Sequence, residues 1–224
     1  AANDYRHPLM LARELATLDV LSDGRVEVGL GAGWRVPDYR QLGLAYDPPP
    51  ERIDRLVESL GIIKRLLRGE TVTHSGRFYE LTGARLDPRP VQRPMPPVII
   101  GGGGPRMLRI AAREADIVGL IPQFDTHGRP IVGQATEGAT AVKAAIVREA
   151  AGDRWEQLRL DINVVDAGLV GSGAGPLASL AAASKATAVA LIGTPYVLYG
   201  TLPRLRVLLE QRREQLGISQ YALP

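Results

Sequence analysis

Two stretches within the first 70 residues place apolar side chains at helical spacing. Between Pro8 and Val20 the apolar positions form one stripe, which predicts a helix that ends at the turn 22–24. After the proline run 48–50, a second helix is expected because apolar residues lie at i, i+3, i+4, i+7, i+10 and i+14. They are Ile53, Leu56, Val57, Leu60, Ile63 and Leu67. The charged residues outside this apolar face are expected to be solvated: Arg52, Asp54, Arg55, Glu58 and Lys64.

Short apolar runs between the helices are typical of parallel strands that are buried on both faces. The clearest run is 98–100, and with the helix 106–114 and the strand 116–120 it predicts one βαβ unit. The strands predicted in this way are 25–30, 98–101, 116–120, 158–166 and 218–223. Further helices are predicted at 139–150 and 202–216. Alternation of strands and helices indicates a parallel α/β fold.

The remaining segments read as turns, loops and one hairpin. Ser75-Gly76 lies between two strand-like runs, 71–74 and 77–81, and predicts a hairpin. The segments 87–97, 121–138 and 168–176 are rich in proline or glycine and are expected to be loops. The stretch 187–192 fits either a strand or a buried helix, and its periodicity does not decide between them.

Composition excludes several classes of site. The 224 residues contain no Cys, which excludes disulfides, a cysteine nucleophile and thiolate metal sites. The three histidines stand alone, so no metal is expected and each is read as a solvated or hydrogen-bonded side chain: His7, His74 and His127. The net charge of +3 comes from interspersed arginines, which indicates a GC-rich genome rather than a nucleic-acid partner. No stretch is long and apolar enough to span a bilayer and the start lacks a signal-peptide core, so a cytoplasmic location is expected.

Three glycine clusters suggest a nucleotide site, but none matches the dinucleotide fingerprint. The third glycine of that fingerprint is replaced by Trp34, Arg106 and Pro176 in the three clusters. The cluster 101–104 nevertheless joins a buried strand to a helix that begins at Pro105, and a helix N-terminus attracts anions. The sequence therefore leaves two interpretations open, a phosphate site or a tight turn.

The cluster before Trp34 also has two interpretations. It is either a strand exit where a flat ligand approaches the backbone, with Trp34 as a wall, or a tight turn followed by a packed tryptophan. The residue types alone do not choose between them.

Taken together, the motifs resemble the bacterial-luciferase-like superfamily, and within it the coenzyme F420-dependent oxidoreductases. The motifs that carry the resemblance span the whole chain: Arg6-His7-Pro8, Ser22-Asp23-Gly24-Arg25, Gly29-Leu30-Gly31-Ala32-Gly33-Trp34, Pro96-Pro97-Val98-Ile99-Ile100-Gly101-Gly102, Ala111-Ala112-Arg113-Glu114-Ala115-Asp116 and Pro195-Tyr196-Val197-Leu198-Tyr199-Gly200-Thr201. By this resemblance 187–192 is expected to be helical.

The resemblance implies a TIM (β/α)8 barrel of the bacterial-luciferase-like type, with its site at the carboxyl ends of the strands. The five predicted strands would be the fourth to the eighth, so the chain is expected to be an N-terminally truncated barrel. A single domain over 1–224 is expected, with an insertion at 38–97 that contains a helix and the hairpin.

The resemblance also implies a set of cofactor contacts, while most of the catalytic histidine and aspartate positions of the family are expected in the missing N-terminal part. The expected cofactor-binding residues are Ala32, Trp34, Gly101, Gly102, Gly103, Gly104, Arg106, Met107 and Ile121. The cluster 101–107 would hold the phosphate and ribityl chain, Ala32 would lie beside the deazaflavin ring, and 121–123 would border the tail. Trp34 stands where F420-dependent sugar-phosphate dehydrogenases carry an acid/base glutamate, which argues against sugar-phosphate oxidation.

Three functions follow from this resemblance. The first is hydride transfer between coenzyme F420 and an unidentified small organic substrate, with no nucleic-acid or membrane partner and with room for a homodimer. The alternatives are an FMN-dependent luciferase-like monooxygenase and a non-catalytic truncated barrel. Gly103→Val is expected to remove cofactor binding with less effect on the fold.

Overall fold

The computed structural model describes residues 2–124, 131–169, 191 and 193–224. The chain divides into two compact units, Ala1–Ile100 and Gly101–Pro224, and each is described by itself. The cluster 171–175, His127 and most of 187–192 lie outside the described residues. The expectations of one domain and of an insertion at 38–97 stay predictions.

The first unit contains three helices and a hairpin beside a parallel strand pair. The helices are α1 (Pro8–Leu21), α2 (Val36–Leu42) and α3 (Pro49–Leu67), and the strands are β1 (Val28–Leu30), β2 (Val72–Ser75), β3 (Glu80–Ala84) and β4 (Val98–Gly102), which continues into the second unit. Strand β1 pairs in parallel with β4, and β2 pairs antiparallel with β3, which confirms the predicted hairpin. Helix α1 packs against α3, which supplies more buried apolar residues to this unit than any other element.

The second unit is a parallel α/β arrangement. It contains α4 (Pro105–Glu114), β5 (Ile117–Leu120), α5 (Glu137–Ala151), β6 (Arg159–Asn163), β7 (Asp166–Leu169), β8 (Val197–Gly200), α6 (Leu202–Leu216) and β9 (Ile218–Ala222). Strand β6 pairs in parallel with β5 and with β9, and β7 pairs in parallel with β8. All four residues of β5 are buried, as expected for a strand covered on both faces.

Two secondary-structure predictions are wrong in detail. The single strand expected at 158–166 is two strands, because β6 ends at Asn163 and β7 begins at Asp166. Part of the loop expected from 168 belongs to β7, where pairing with β8 supplies hydrogen-bond partners that a glycine-containing sequence does not reveal. Strand β8 and the short helix α2 were not predicted at all.

The expectation of a fully solvated charged face on α3 is also wrong. Arg52 is only 4% exposed, and the carboxylate of Glu58 accepts hydrogen bonds from the backbone N–H groups of Phe78 (3.2 Å) and Tyr79 (3.0 Å). His74 Nε2 lies 3.0 Å from Glu58 Oε1. Burial acts to raise the pKa of Glu58, but these hydrogen bonds outweigh it and lower the pKa. Glu58 therefore anchors the hairpin turn to α3.

A second buried carboxylate holds the proline-rich segment 87–97 in place. Asp19, on α1, is 0% exposed, and its Oδ2 accepts hydrogen bonds from the N–H groups of Val91 (2.8 Å) and Gln92 (3.0 Å). Its Oδ1 accepts one from Gln92 Nε2 at 2.7 Å. Burial acts to raise the pKa of Asp19, but these hydrogen bonds outweigh it and lower the pKa.

Asp19→Asn is expected to reduce the free energy of unfolding at pH 7 by about 2 to 3 kcal/mol, because hydrogen bonds to a charged acceptor are lost. A lowered pKa in the folded state stabilises the fold above the ordinary Asp value of about 3.9, and this contribution disappears as the pH falls through the folded pKa. Urea unfolding between pH 7 and pH 3 should therefore show a gap between wild type and variant that narrows below about pH 4. The exposed Asp153→Asn serves as the control, and an equal gap at all pH values would contradict the prediction.

Candidate functional site

In the second unit, the carboxyl end of β4 leads directly into the N-terminus of α4. Gly104 is the N-cap residue, in an extended conformation (φ −100°, ψ 154°), and no side chain caps the helix. The Gly104 carbonyl accepts the N–H of Leu108 at 3.1 Å, which begins the helical hydrogen-bond pattern. The N–H groups of a first helical turn have no acceptor within the helix and carry the positive end of its dipole. The segment therefore presents backbone donors beside a residue without a side chain.

The next strand exit, 121–123, packs against three of the four glycines. A Cβ atom added at Gly101 would lie 2.4 Å from Ile121 Cδ1, and one at Gly103 would lie 2.8 Å from the Ile121 carbonyl oxygen. At Gly102 the added atom would lie 2.7 Å from Met107 Cβ. The Ile121 N–H also donates to the Gly102 carbonyl at 3.1 Å. Gly102 and Gly103 are therefore required by the packing of the protein on itself, whereas at Gly101 the added atom meets only the flexible end of the Ile121 side chain.

Gly104 differs from its three neighbours. A Cβ atom there would have only Gln123 Nε2 within 4 Å, at 3.9 Å, so the space beside it is open. The expectation for Gly103→Val is wrong in its second half, because a side chain at Gly103 collides with the Ile121 backbone and would disturb the fold. A side chain at Gly104, by contrast, would enter the open space beside the start of α4 without such a collision.

The other predicted contacts of the second unit differ in exposure. The side chain of Arg106 is exposed at the start of α4, whereas Met107 is only 8% exposed. The Met107 side chain is therefore part of the core, and only the backbone N–H of this residue can face a ligand. Ile121 is half-buried against Gly101.

In the first unit, the exit from β1 forms a second backbone site. Ala32 is half-buried and Trp34 is 51% exposed, so the packed-tryptophan interpretation is wrong. Gly33 has φ +77°, and a Cβ atom there would lie 1.9 Å from the hydroxyl oxygen of Tyr39. Both the conformation and the contact therefore require glycine at position 33.

Arg52 is the centre of the hydrogen bonds beneath this exit. Its Nη1 donates to the carbonyl of Ala32 at 3.0 Å and to that of Gly33, and its Nε donates to the carbonyl of Asp47 at 2.8 Å. Its Nη2 donates to the hydroxyl of Tyr46 at 3.1 Å, and the guanidinium lies 4.2 Å from the centre of the Tyr46 ring. One buried cation thus satisfies four acceptors.

A second set of charged and aromatic groups surrounds Arg52. Tyr39, which is fully buried, donates its hydroxyl to Asp4 Oδ2 at 2.9 Å. Arg55 Nη1 lies 3.1 Å from Asp4 Oδ1, and its Nη2 donates to the carboxylate of Asp47. Burial and the neighbouring Asp4 both raise the pKa of Tyr39, so its hydroxyl remains a proton donor throughout the neutral range.

The sequence reasoning assigned no role in the site to Arg52, Tyr39 or Asp4. One signal was present for Arg52, because it lies in the first turn of α3, where the helix dipole disfavours a cation. A cation in such a position indicates that other partners compensate. Asp4 carried no comparable signal.

Two kinds of feature are absent from the described residues. Within 2–124, 131–169, 191 and 193–224, no three His, Asp or Glu side chains come together as a metal site. Over the same part of the chain, no helix is long and apolar enough to cross a membrane.

Comparisons with known proteins give a family and two kinds of relative. The family model described as luciferase-like monooxygenase matches residues 1–151. An F420-dependent glucose-6-phosphate dehydrogenase of Microbacterium testaceum is 40% identical over 110 residues, which are 49% of this chain and 32% of that protein. The enzyme of the same name from Nakamurella multipartita is 39% identical over 110 residues, again 49% of this chain and 32% of that protein. The match thus spans about a third of the length of these curated relatives.

Solved structures match over nearly the whole chain. A monooxygenase from Streptomyces bottropensis has a TM-score of 0.76 at 22% identity, covering 100% of this chain and 68% of its own. The coenzyme F420-dependent tetrahydromethanopterin reductase of Methanopyrus kandleri has a TM-score of 0.74 at 18% identity. The match covers 99% of this chain and 74% of the reductase chain. At these identities the likeness concerns the fold, and it confirms the predicted class, an α/β fold of the barrel type with mainly parallel strands.

Proposed function

The chain belongs to the luciferase-like monooxygenase family, and we propose that it binds coenzyme F420 and serves hydride transfer to or from a small organic molecule. The observation that carries the proposal is the open, uncapped start of α4 at Gly104. It occurs in a chain whose curated relatives are named as F420-dependent enzymes.

The residues of the second unit fit the phosphate of such a cofactor. Backbone N–H groups at the start of α4 would donate to its oxygens, and Arg106 supplies an exposed cation beside them. Gly101 to Gly104 keep the backbone free of side chains, while Ile121 borders the segment. Of Met107, only the backbone is proposed to take part.

In the first unit we propose Ala32 and Trp34 as contacts of the deazaflavin ring. An indole does not exchange a proton near neutral pH, so Trp34 cannot supply the acid/base group that sugar-phosphate oxidation requires at this position. We therefore do not extend glucose 6-phosphate, the substrate in the relatives' names, to this chain. The substrate class stays open.

When bound, F420 would supply two-electron hydride chemistry, and the protein's contribution is to orient it and exclude water. Backbone donors at α4 would hold the anionic end, and the half-exposed Trp34 would offer the ring an apolar surface that excludes solvent. A homodimer and a cytoplasmic location stay predictions.

A second candidate is an FMN-dependent monooxygenase. The likeness to the solved Streptomyces monooxygenase favours it, because a phosphate site at a helix N-terminus would serve FMN equally well. The two cofactors differ in the ring and in the tail beyond the phosphate, so direct binding measurements separate them.

Titration of the 224-residue chain with F420 and, separately, with FMN tests the proposal. Cofactor fluorescence and its anisotropy should show saturable F420 binding with a Kd at least tenfold below that for FMN. This ratio corresponds to a difference of about 1.4 kcal/mol in binding free energy. A melting curve of the same preparation establishes that the chain is folded. Tighter FMN binding would favour the second candidate, and a cooperatively melting chain without saturable F420 binding would overturn the first.

A further inference from the structure

We propose that Arg52 is a positioning residue: it fixes the peptide groups that follow Ala32 and Gly33 so that their N–H edges face the cofactor ring. The inference rests on the proposed function, since it assigns the ring contact to this segment. The inference goes beyond the proposed function because it names the buried group that sets the orientation of the segment 32–34. Arg52 touches neither substrate nor cofactor in this assignment.

The first step is the direction of the two peptide groups. The carbonyls of Ala32 and Gly33 both accept from the same atom, Arg52 Nη1. In a planar trans peptide the N–H points opposite to the C=O. The N–H groups of Gly33 and Trp34 are therefore directed away from the guanidinium, toward the side opposite the helix α3 that carries Arg52.

The second step is the rigidity of the support. Arg52 is 4% exposed, and its guanidinium is held from another side by the Asp47 carbonyl at 2.8 Å. Tyr46 lies beneath it, and the hydroxyl of Tyr46 also donates to the carbonyl of Trp34 at 3.1 Å. Three successive carbonyls, 32 to 34, are thus bound by one Arg–Tyr pair.

The third step is the choice of residue. A planar guanidinium presents several N–H donors in a fixed fork, whereas an ammonium is a compact charge on a flexible stem. Lysine at position 52 would keep the charge but could not reach the Ala32, Gly33 and Asp47 carbonyls in one geometry. Arg52→Lys therefore separates positioning from simple charge.

The first test uses the protein without cofactor. In a Trp155→Phe background, Trp34 is the sole tryptophan and reports the motion of its own segment. In Arg52→Lys the amplitude of the subnanosecond anisotropy decay of Trp34 is expected at least to double. Arg65→Lys, an exposed change on the same helix, should leave the decay unchanged. An unchanged decay in folded Arg52→Lys would overturn the proposal.

The second test measures F420 binding by the same variants. Arg52→Lys is expected to raise the Kd about tenfold, and Arg65→Lys to leave it within twofold. A mobile Trp34 with an unchanged Kd would overturn the proposal, because the orientation would not matter for binding. If the wild-type chain binds no F420, the proposed function fails, while the decay of Trp34 still decides whether Arg52 orders the segment.

Tyr46→Phe provides a milder variant should Arg52→Lys fail to fold. It removes only the hydroxyl that joins Arg52 to the Trp34 carbonyl. Its Trp34 mobility and its Kd are both expected to lie between those of the wild type and a fully released segment. Wild-type values for both quantities would count against the proposal.

Discussion

Gly104→Asp is expected to weaken F420 binding on the order of 100-fold while the protein melts at the same or a slightly higher temperature. Aspartate is a favoured N-cap residue in the extended conformation that Gly104 already has, so the start of α4 is not destabilised. Its carboxylate, however, would bind the N–H groups proposed for the phosphate and repel that anion. Losing charge-assisted hydrogen bonds worth about 1.5 to 3 kcal/mol and adding repulsion gives the expected factor.

The matched control is Gly104→Asn, which has nearly the same shape and an equal capping preference but no charge. We expect its Kd to lie between those of the wild type and Gly104→Asp. The titration should be done at two salt concentrations, because salt weakens a repulsion between charges. Equal Kd values for all three proteins would mean that the phosphate does not lie at the start of α4.

Gly33→Ala is expected to reduce the free energy of unfolding by about 4 kcal/mol, an exceptionally large effect for a single methyl group. Part of this is the cost of a side chain at φ +77°, about 1 kcal/mol. The rest comes from overlap with the hydroxyl of Tyr39, which is buried and bound to Asp4 and so cannot move aside. Urea unfolding or a melting curve measures the change.

Gly43→Ala isolates the conformational part of that effect. Gly43 has φ +67°, but nothing lies within 4 Å of an added Cβ atom, so a loss of only about 1 kcal/mol is expected. Adding Tyr39→Phe to Gly33→Ala removes the atom at 1.9 Å and should recover part of the stability. If Gly33→Ala and Gly43→Ala lost the same stability, the collision with Tyr39 would be disproved.

The sequence was sufficient for elements whose burial is regular. Helix α3 repeats its apolar residues along one face over five turns, and β5 is apolar throughout, so periodicity and composition located both. The link from β4 to α4 was equally clear, because the apolar run 98–100 ends at glycines and Pro105 is favoured at the first position of a helix. What these features share is that neighbours along the chain determine them.

The groups that could not be predicted depend on partners distant in the sequence. Arg52 and Glu58 look like ordinary charged residues on an amphipathic helix, and only the folded chain brings backbone groups 19 to 21 residues away within hydrogen-bond distance. Strand β7 is similar, since its partner β8 lies beyond a long intervening stretch. Periodicity describes which face is covered, but not which polar groups meet beneath it.

The hydrogen bonds of Arg52 have a consequence for how this part of the chain tolerates change. One guanidinium binds the carbonyls of Ala32 and Gly33 on one side and of Asp47 on the other, so it closes the base of the intervening loop. The entropy of closing a loop grows only slowly with its length, by about 0.6 kcal/mol for each doubling. Apart from Trp34, the buried Tyr39 and the Tyr46 that supports Arg52, residues between these anchors can therefore be exchanged, and the loop can be lengthened, while both anchored ends stay in place.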